Sequence, residues 1–184
     1  MGQVECATRS GETLFAMKIL TREEAAELLG GKPLDIFVSE QSSRMRLVNA
    51  AYSTPRDSGR KTALSRLFAY MLGRSTDVCV YISLWGVWVE NLDLFYGYRC
   101  SFGESRTLME APVHLFSPSE QDAFVSILSM VFYFLWDATV FDIEGKALVR
   151  ISHDEWIEVF TAADELNREF AAEFEKFRLP VLPP

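Results

Sequence analysis

Residues 136–156 constrain the fold of this chain more than any other segment. They follow its longest uncharged apolar-rich run, residues 123–136, which is too short to cross a bilayer and is typical of a buried helix. Alternating apolar residues then predict two short strands, 138–142 and 146–151, that form a hairpin with Gly145 at the turn. After the hairpin, the sequence Ser152-His153-Asp154-Glu155 has the spacing of a capping box and predicts the start of a last helix.

The remaining periodicities predict an α/β fold, with α+β as the alternative. We expect a central sheet of about five strands packed by about five helices, and a C-terminal β-hairpin followed by a long amphipathic helix. No repeat or linker interrupts residues 1–184, so we expect a single domain with flexible ends at 1–12 and 179–184. The predicted helices are 21–30, 61–72, 91–101, 117–135 and 152–178; the other predicted strands are 34–38, 45–52 and 77–85, and residues 107–116 are predicted to be an irregular connection.

The net charge of −8 is distributed unevenly along the chain. Residues 1–92 contain 11 basic and 10 acidic side chains, whereas residues 93–184 contain 7 basic and 16 acidic ones. Such an acidic half repels phosphates and argues against general nucleic-acid binding, but it suits a protein partner with a basic surface. Residues 44–74 contain seven basic side chains and one acidic one. That basic cluster can receive a phosphate or carboxylate, or it can be an ordinary solvated face.

The motifs that bind cofactors are missing from the sequence. There is no C-x-x-C or H-E-x-x-H spacing for a metal, and no glycine-rich phosphate loop, so we expect neither a metal nor a cofactor. The three cysteines are odd in number and widely spaced, which is typical of reduced thiols in a cytoplasmic protein. No segment resembles a cleaved secretion signal or a membrane span.

Two histidines provide the candidates for acid–base chemistry. Glu110 and His114 occupy the predicted irregular connection, where a histidine that titrates near neutrality can exchange protons. His153 and Asp154 lie in the predicted helix start, where Asp137, Asp142 and Glu155 can converge on them. Each group also has a structural explanation: a histidine bonded to backbone for the first, and helix capping for the second.

Aromatic and acidic side chains provide the candidates for partner binding. Trp85, Trp88 and Tyr96 can form an exposed aromatic anchor, or they can fill the core. Asp154 and Glu158 would add acidic contacts to the same partner. An exposed stripe of Phe170, Phe174 and Phe177 would instead indicate a homo-oligomer.

Four motifs, which are spread over residues 85–160, resemble those of a group of small, functionally uncharacterised bacterial proteins: Trp85-Gly86-Val87-Trp88, Leu94-Phe95-Tyr96, Glu110-Ala111-Pro112-Val113-His114-Leu115-Phe116 and Ser152-His153-Asp154-Glu155-Trp156. The size and acidity of the chain are similar to those of immunity proteins, which neutralise a toxin by covering its active site. This resemblance implies a non-enzymatic cytoplasmic protein that caps a basic surface. The alternatives are a small enzyme that uses His114 and the cluster at His153, and a homo-oligomeric structural protein.

Overall fold

A single antiparallel sheet organises the computed structural model, which describes residues 17–85 and 92–182. Its eight strands are β1 (Lys18–Leu20), β2 (Arg46–Leu47), β3 (Tyr52–Ser53), β4 (Val78–Leu84), β5 (Val113–Phe116), β6 (Asp137–Asp142), β7 (Ala147–Ile151) and β8 (Trp156–Thr161). Their order across the sheet is β1-β5-β4-β6-β7-β8-β2, and β3 also pairs with β8. The mixed α/β class is as predicted, but the sheet has eight strands rather than about five.

Six helices pack against the two faces of the sheet in the described part of the chain. They are α1 (Arg22–Leu28), α2 (Leu34–Arg44), α3 (Ser58–Leu72), α4 (Leu92–Ser101), α5 (Gln121–Phe134) and α6 (Asp164–Phe177). Apolar side chains of α3, α4, α5 and α6 form the main core on the first face, and α1 and α2 form a smaller core on the second.

The period-two alternation of the strands decides which side chains enter each core. Val80, Val140, Val149 and Val159 lie in register across β4, β6, β7 and β8 and are completely buried on the first face. Cys79, Phe141, Leu148 and Phe160 form the adjacent row, which faces α2 on the second face. Because both faces are covered along these rows, the strands read as nearly continuous apolar runs in the sequence.

The predicted start and end signals of the first helix, α1, are confirmed. The Thr21 hydroxyl accepts a hydrogen bond from the Glu24 amide at 3.1 Å, and the Glu24 carboxylate accepts one from the Thr21 amide at 2.7 Å. This capping box begins α1, and the chain leaves that helix through Gly30 and Gly31 at φ of +72° and +82°. Glycine adopts such positive φ angles without the backbone strain that an L side chain would cause.

The predicted strand 34–38 is wrong, because these residues begin α2. Pro33 at φ −53° precedes the helix, and Leu34 and Phe37 are buried together on one side of it. A short apolar run does not distinguish one buried helical face from a strand. Here packing against Phe141, whose ring centroid is 5.2 Å from that of Phe37, selects the helix.

Residues 107–116 are not wholly irregular, which corrects a second expectation. Their last four residues form β5, which pairs with β1 on one side and β4 on the other. Pro112 immediately precedes the strand, so its missing N–H costs the ladder nothing, and its carbonyl accepts a bond from the Ile82 amide at 3.2 Å. As a result, His114 lies in a buried strand rather than in a loop.

The largest correction concerns Ser152–Glu155, which form the turn between β7 and β8 instead of capping a helix. The Ser152 amide donates to the Trp156 carbonyl at 3.0 Å, and Glu155 has a φ of +63°. Trp156 and Phe160 therefore lie on β8, and the last helix begins only at Asp164. The predicted hairpin is real, but a third strand separates it from the amphipathic helix.

The C-terminal segment runs alongside β3. The Ser53 amide donates to the Pro180 carbonyl at 2.8 Å, the Leu182 amide donates to the Ala51 carbonyl at 2.8 Å, and Leu179 is buried. Residues 1–12 and 183–184 lie outside the described residues.

The structure also locates the phenylalanine stripe of α6. Phe170 and Phe174 are buried in the main core, and the Phe177 ring lies 5.1 Å beneath the Arg60 guanidinium carbon. Phe170 and Phe174 thus face the sheet and are covered within one chain. None of the helices in the described ranges is long and apolar enough to cross a membrane.

Candidate functional site

Among the described residues, no helix covers one half of the second sheet face. Helices α1 and α2 cover the end of this face that contains Cys79, Phe141 and Leu148. The alternation that buries those side chains also places five others on the half without a helix. We call this half the open sheet face, and its residues are Asp137, Thr139, Arg150, Trp156 and Glu158, all partly or fully exposed.

An arginine at the centre of the open sheet face links two of its neighbours. Thr139, Arg150 and Glu158 are register partners across β6, β7 and β8. The Arg150 guanidinium donates to the Glu158 carboxylate at 3.3 Å and lies 5.8 Å from the centre of the Trp156 ring. These two contacts bring the Arg150 guanidinium, the Glu158 carboxylate and the Trp156 ring together on one surface. Tryptophan and arginine are the side chains that most often dominate binding energy in protein interfaces.

A histidine–aspartate pair borders the open sheet face. Asp137 begins β6, and His153 lies in the turn between β7 and β8. One carboxylate oxygen of Asp137 accepts hydrogen bonds from the His153 amide at 2.7 Å and from its ring Nδ1 at 2.8 Å. The other ring nitrogen lies 3.6 Å from the Asp154 carboxylate. Two bonds to one oxygen fix both the turn and the orientation of the imidazole.

The hydrogen bond that the His153 ring donates to Asp137, together with the negative charge of Asp137, raises the pKa of His153 above its ordinary value. Asp154 adds a smaller effect in the same direction. The bond also keeps the proton of the neutral ring on Nδ1 and leaves Nε2 as the atom that can exchange a proton with solvent. Such a pair can act as a general acid or base, although in the described residues no hydroxyl or thiol bonds to Nε2 as a nucleophile.

We expect Asp137→Asn to return the pKa of His153 toward its ordinary value near 6.5. Because the folded pKa is raised, the pair stabilises the protein fully below the unfolded pKa, and this contribution is lost as pH rises through the folded pKa. Histidine NMR titration measures the pKa directly, and urea unfolding between pH 5 and 9 measures the stability. Asp154→Asn is the matched control and should shift the pKa less. An equal shift in both variants would contradict the pairing.

The other predicted acid–base residues lie elsewhere. His114 is completely buried in β5, and its Nδ1 is 3.4 Å from the Val80 carbonyl. The Glu110 carboxylate accepts bonds from the amide and hydroxyl of Thr107 at 2.7 and 2.9 Å, and these bonds lower its pKa. Neither a hydrogen bond nor an ion pair connects His114 with His153 in the described part of the chain. The structure therefore does not assemble one site from both histidines.

The predicted partner-binding residues are only partly brought together. Asp154 is exposed, and Glu158 lies on the open sheet face. Trp85 packs against the main core, and the Tyr96 ring centroid is 6.3 Å from that of Phe95 on α4. Trp88 lies outside the described residues. The sequence pattern missed Arg150 and Trp156 as a pair, although the alternation of β8 over Trp156–Thr161 was the signal that could have revealed it.

The basic cluster at residues 44–74 does not converge on one point. Arg46 bonds Asp164 at 2.6 Å, Arg60 donates to the Phe177 carbonyl, and Arg74 lies 5.3 Å from the Tyr70 ring. The Lys61 ammonium is buried and donates to the Phe132 carbonyl at 2.9 Å. These contacts hold separate helices and strands together, as expected for side chains with structural roles.

The two cysteines in the described ranges, Cys79 and Cys100, do not form a reactive site either. Cys79 is free, and burial together with the nearby charge of Asp77 raises its pKa to about 12, so it stays a thiol at neutral pH. Cys100 is disulfide-bonded, which corrects the expectation that every cysteine is reduced. The described ranges contain no group of three histidine, cysteine or acidic residues that could hold a metal ion.

Comparisons with known proteins assign no relative to this chain: no protein-family model matches it, and neither a curated protein nor a solved structure matches it.

Proposed function

We propose that the protein is a non-enzymatic binding module that uses the open sheet face to cap a basic surface on a partner protein. The observation that carries this proposal is the Arg150–Trp156 pair, which lies on the half of the sheet that α1 and α2 leave uncovered. A sheet face is rigid, and a preorganised surface loses little side-chain entropy on binding.

The charges around the Arg150–Trp156 pair support a basic partner. Asp137, Asp154 and Glu158 bring three carboxylates to the open sheet face and its border. The cations there are Arg150 and the protonated form of His153. The Asp154 side chain is 71% exposed, so its charge remains available to a cation on the partner. Complementary charge of this kind accelerates association and selects the partner.

The same proposal includes an immunity-type role, in which the partner is a toxin and the capped surface contains its active site. Its support is the small, acidic build of the chain and a surface suited to covering a partner. The cytoplasmic location stays a prediction, which cell fractionation tests, because the disulfide at Cys100 instead favours an oxidising compartment. Inhibition of a toxin encoded beside the gene would support the immunity role.

Trp156→Ser should weaken binding of the partner by at least about 30-fold, because truncation of a central interface tryptophan typically costs about 2 kcal/mol or more. A photo-crosslinking amino acid at position 154 should capture the partner at low salt, and the crosslinked complex provides its identity. Titration of that purified partner by calorimetry then compares the variants. Tyr70→Ser is the matched control, since Tyr70 is an exposed aromatic residue on α3.

The proposal also specifies where capture should fail. A crosslinker at Glu169, an exposed acidic position on α6, should not capture the same protein. Asp154→Lys should weaken binding at low salt and lose this effect at high salt. Capture from both positions alike, or equal affinities of the Trp156→Ser and Tyr70→Ser variants, would overturn the proposal.

A second candidate function, a small acid–base enzyme, is favoured by the bond between Asp137 and the His153 ring. It is tested with chromogenic esters, phosphoesters and glycosides. An activity that is present in the native chain and lost in His153→Gln, while Glu110→Gln retains it, would support catalysis at His153. No turnover in any of these assays would leave the pair a structural element of the turn.

A further inference from the structure

A buried polar cluster lies beneath α4, separate from the open sheet face. We call it the Arg99 cluster, and it consists of Arg99 on α4, His114 on β5 and Trp136, which follows α5. All three side chains are completely buried. They surround one phenyl ring, that of Phe95: the Arg99 guanidinium carbon is 5.5 Å from its centre, the His114 ring 5.7 Å and the Trp136 ring 5.0 Å.

Four polar atoms of the Arg99 cluster are buried without a hydrogen-bond partner. They are Nε and one terminal nitrogen of Arg99, Nε1 of Trp136 and Nε2 of His114. Buried polar atoms are almost always paired, so four orphans on three neighbouring side chains require an explanation. A protein that buries them gains free energy from any ligand that pairs with them.

The second terminal nitrogen of Arg99 already has a hydrogen-bond acceptor. It donates to the Arg106 carbonyl at 3.1 Å, a bond that fixes the direction of the guanidinium. The nearby acid Glu104 bonds the Arg106 side chain through both of its carboxylate oxygens. No ion pair joins Arg99 to a carboxylate within the described ranges. The cluster therefore contains a buried cation whose charge is not neutralised by direct contact.

The tautomer of His114 decides whether Nε2, the fourth unpartnered atom, donates or accepts a hydrogen bond. Its Nδ1 faces the Val80 carbonyl, which can only accept a hydrogen bond, so Nδ1 holds the proton. Burial and the charge of Arg99 lower the pKa of His114 to about 3, and the ring is therefore neutral at physiological pH. Its Nε2 is then an acceptor. The Arg99 cluster thus offers N–H donors from Arg99 and Trp136 and a single acceptor from His114.

We propose that the Arg99 cluster binds a small oxyanion that carries a hydroxyl group, the class that includes bicarbonate and hydrogen phosphate. Its charged oxygens accept hydrogen bonds from Arg99 and Trp136, and its hydroxyl donates to Nε2 of His114. A water molecule would add no negative charge at Arg99 beyond that of the more distant carboxylates of Glu104 and Glu110, and chloride has no proton to donate to His114. Such a ligand offers an acceptor to the unpartnered nitrogens of Arg99 and Trp136 and a donor to that of His114.

The test uses the full chain in chloride buffer at pH 7.5 and constant ionic strength. Sodium bicarbonate and sodium phosphate are titrated separately, and thermal unfolding and the indole N–H resonance of Trp136 are recorded. We expect saturable stabilisation and a saturable shift of this resonance with one or both anions, and neither effect with additional chloride. The two titrations distinguish which oxyanion is preferred. Trp136→Phe assigns the resonance.

Two variants complete the test. Arg99→Met removes the cation and should weaken anion binding at least tenfold, while Arg178→Met, an exposed arginine, should leave it unchanged. If Arg99→Met fails to fold, the resonance titration of the native chain decides alone. Absence of saturation with both oxyanions, an equal response to chloride, or unchanged binding by Arg99→Met would overturn the proposal.

Discussion

Phe68→Ala is expected to lower the free energy of unfolding by about 3–5 kcal/mol, the usual cost of truncating a buried phenylalanine. Phe68 is completely buried on α3 at the point where α5 and α6 meet. Its ring centroid lies 6.2 Å from that of Phe132 on α5, and 6.4 and 6.0 Å from those of Phe170 and Phe174 on α6. Alanine at this position leaves a cavity that three rigid rings cannot fill.

Equilibrium unfolding in urea measures this loss. Tyr70→Ala is the matched control, because Tyr70 is an aromatic residue on the same helix that is 55% exposed. We expect the control to change the free energy of unfolding by less than about 1 kcal/mol, since surface substitutions have small effects. Similar losses in the two variants would show that the ring contacts of Phe68 do not hold the three helices together.

Asp142→Ala is expected to lower the free energy of unfolding by about 2–3 kcal/mol, the scale of losing hydrogen bonds to a charged group. Asp142 ends β6, and its buried carboxylate accepts bonds from the Lys146 amide at 3.0 Å and the Ala147 amide at 2.6 Å. These bonds close the turn to β7. Without the carboxylate, the buried Ala147 amide would have no acceptor there.

Glu144→Ala provides the control for Asp142, because Glu144 lies in the same turn but is half exposed and pairs with Lys146. Exposed ion pairs contribute little, so its loss should stay below about 1 kcal/mol. Hydrogen exchange of the Ala147 amide adds a local measurement and should accelerate in Asp142→Ala but not in Glu144→Ala. Equal exchange in both variants would rule out the proposed role of the Asp142 carboxylate.

Local sequence signals predicted those elements whose stabilising contacts are close in the chain. The capping box of Thr21, the apolar stripe of α3 and the Gly145 turn each depend on residues within a few positions of one another. The strand at Leu34 was wrong because an apolar run of that length fits either a helix or a strand. Its conformation depends on Phe141, more than 100 positions further along the chain.

In the candidate site, too, nearby residues gave a sequence signal, whereas the contacts between distant residues did not. The sequence singled out His153 and Asp154, but it assigned them to a helix start, since a Ser-x-x-Glu pattern suits both a capping box and a turn. The alternation of Trp156–Thr161 then favours a strand, and pairing with β7 decides in its favour. That pairing is what brings Arg150 beside Trp156 and Glu158. The buried Arg99 cluster had no local signal at all, because its members come from three separate elements.

The sequence by itself determined the α/β class, the acidic second half, the buried apolar helix α5 and the β6–β7 hairpin, because composition and short-range periodicity encode these properties directly. Only the tertiary structure decided that the sheet is antiparallel with eight strands, that His114 is buried while His153 bonds Asp137, and that α1 and α2 cover only half of one sheet face. The physical reason is that strand pairing and burial are set by contacts between residues far apart in the chain. A local pattern cannot specify which distant surface will cover it.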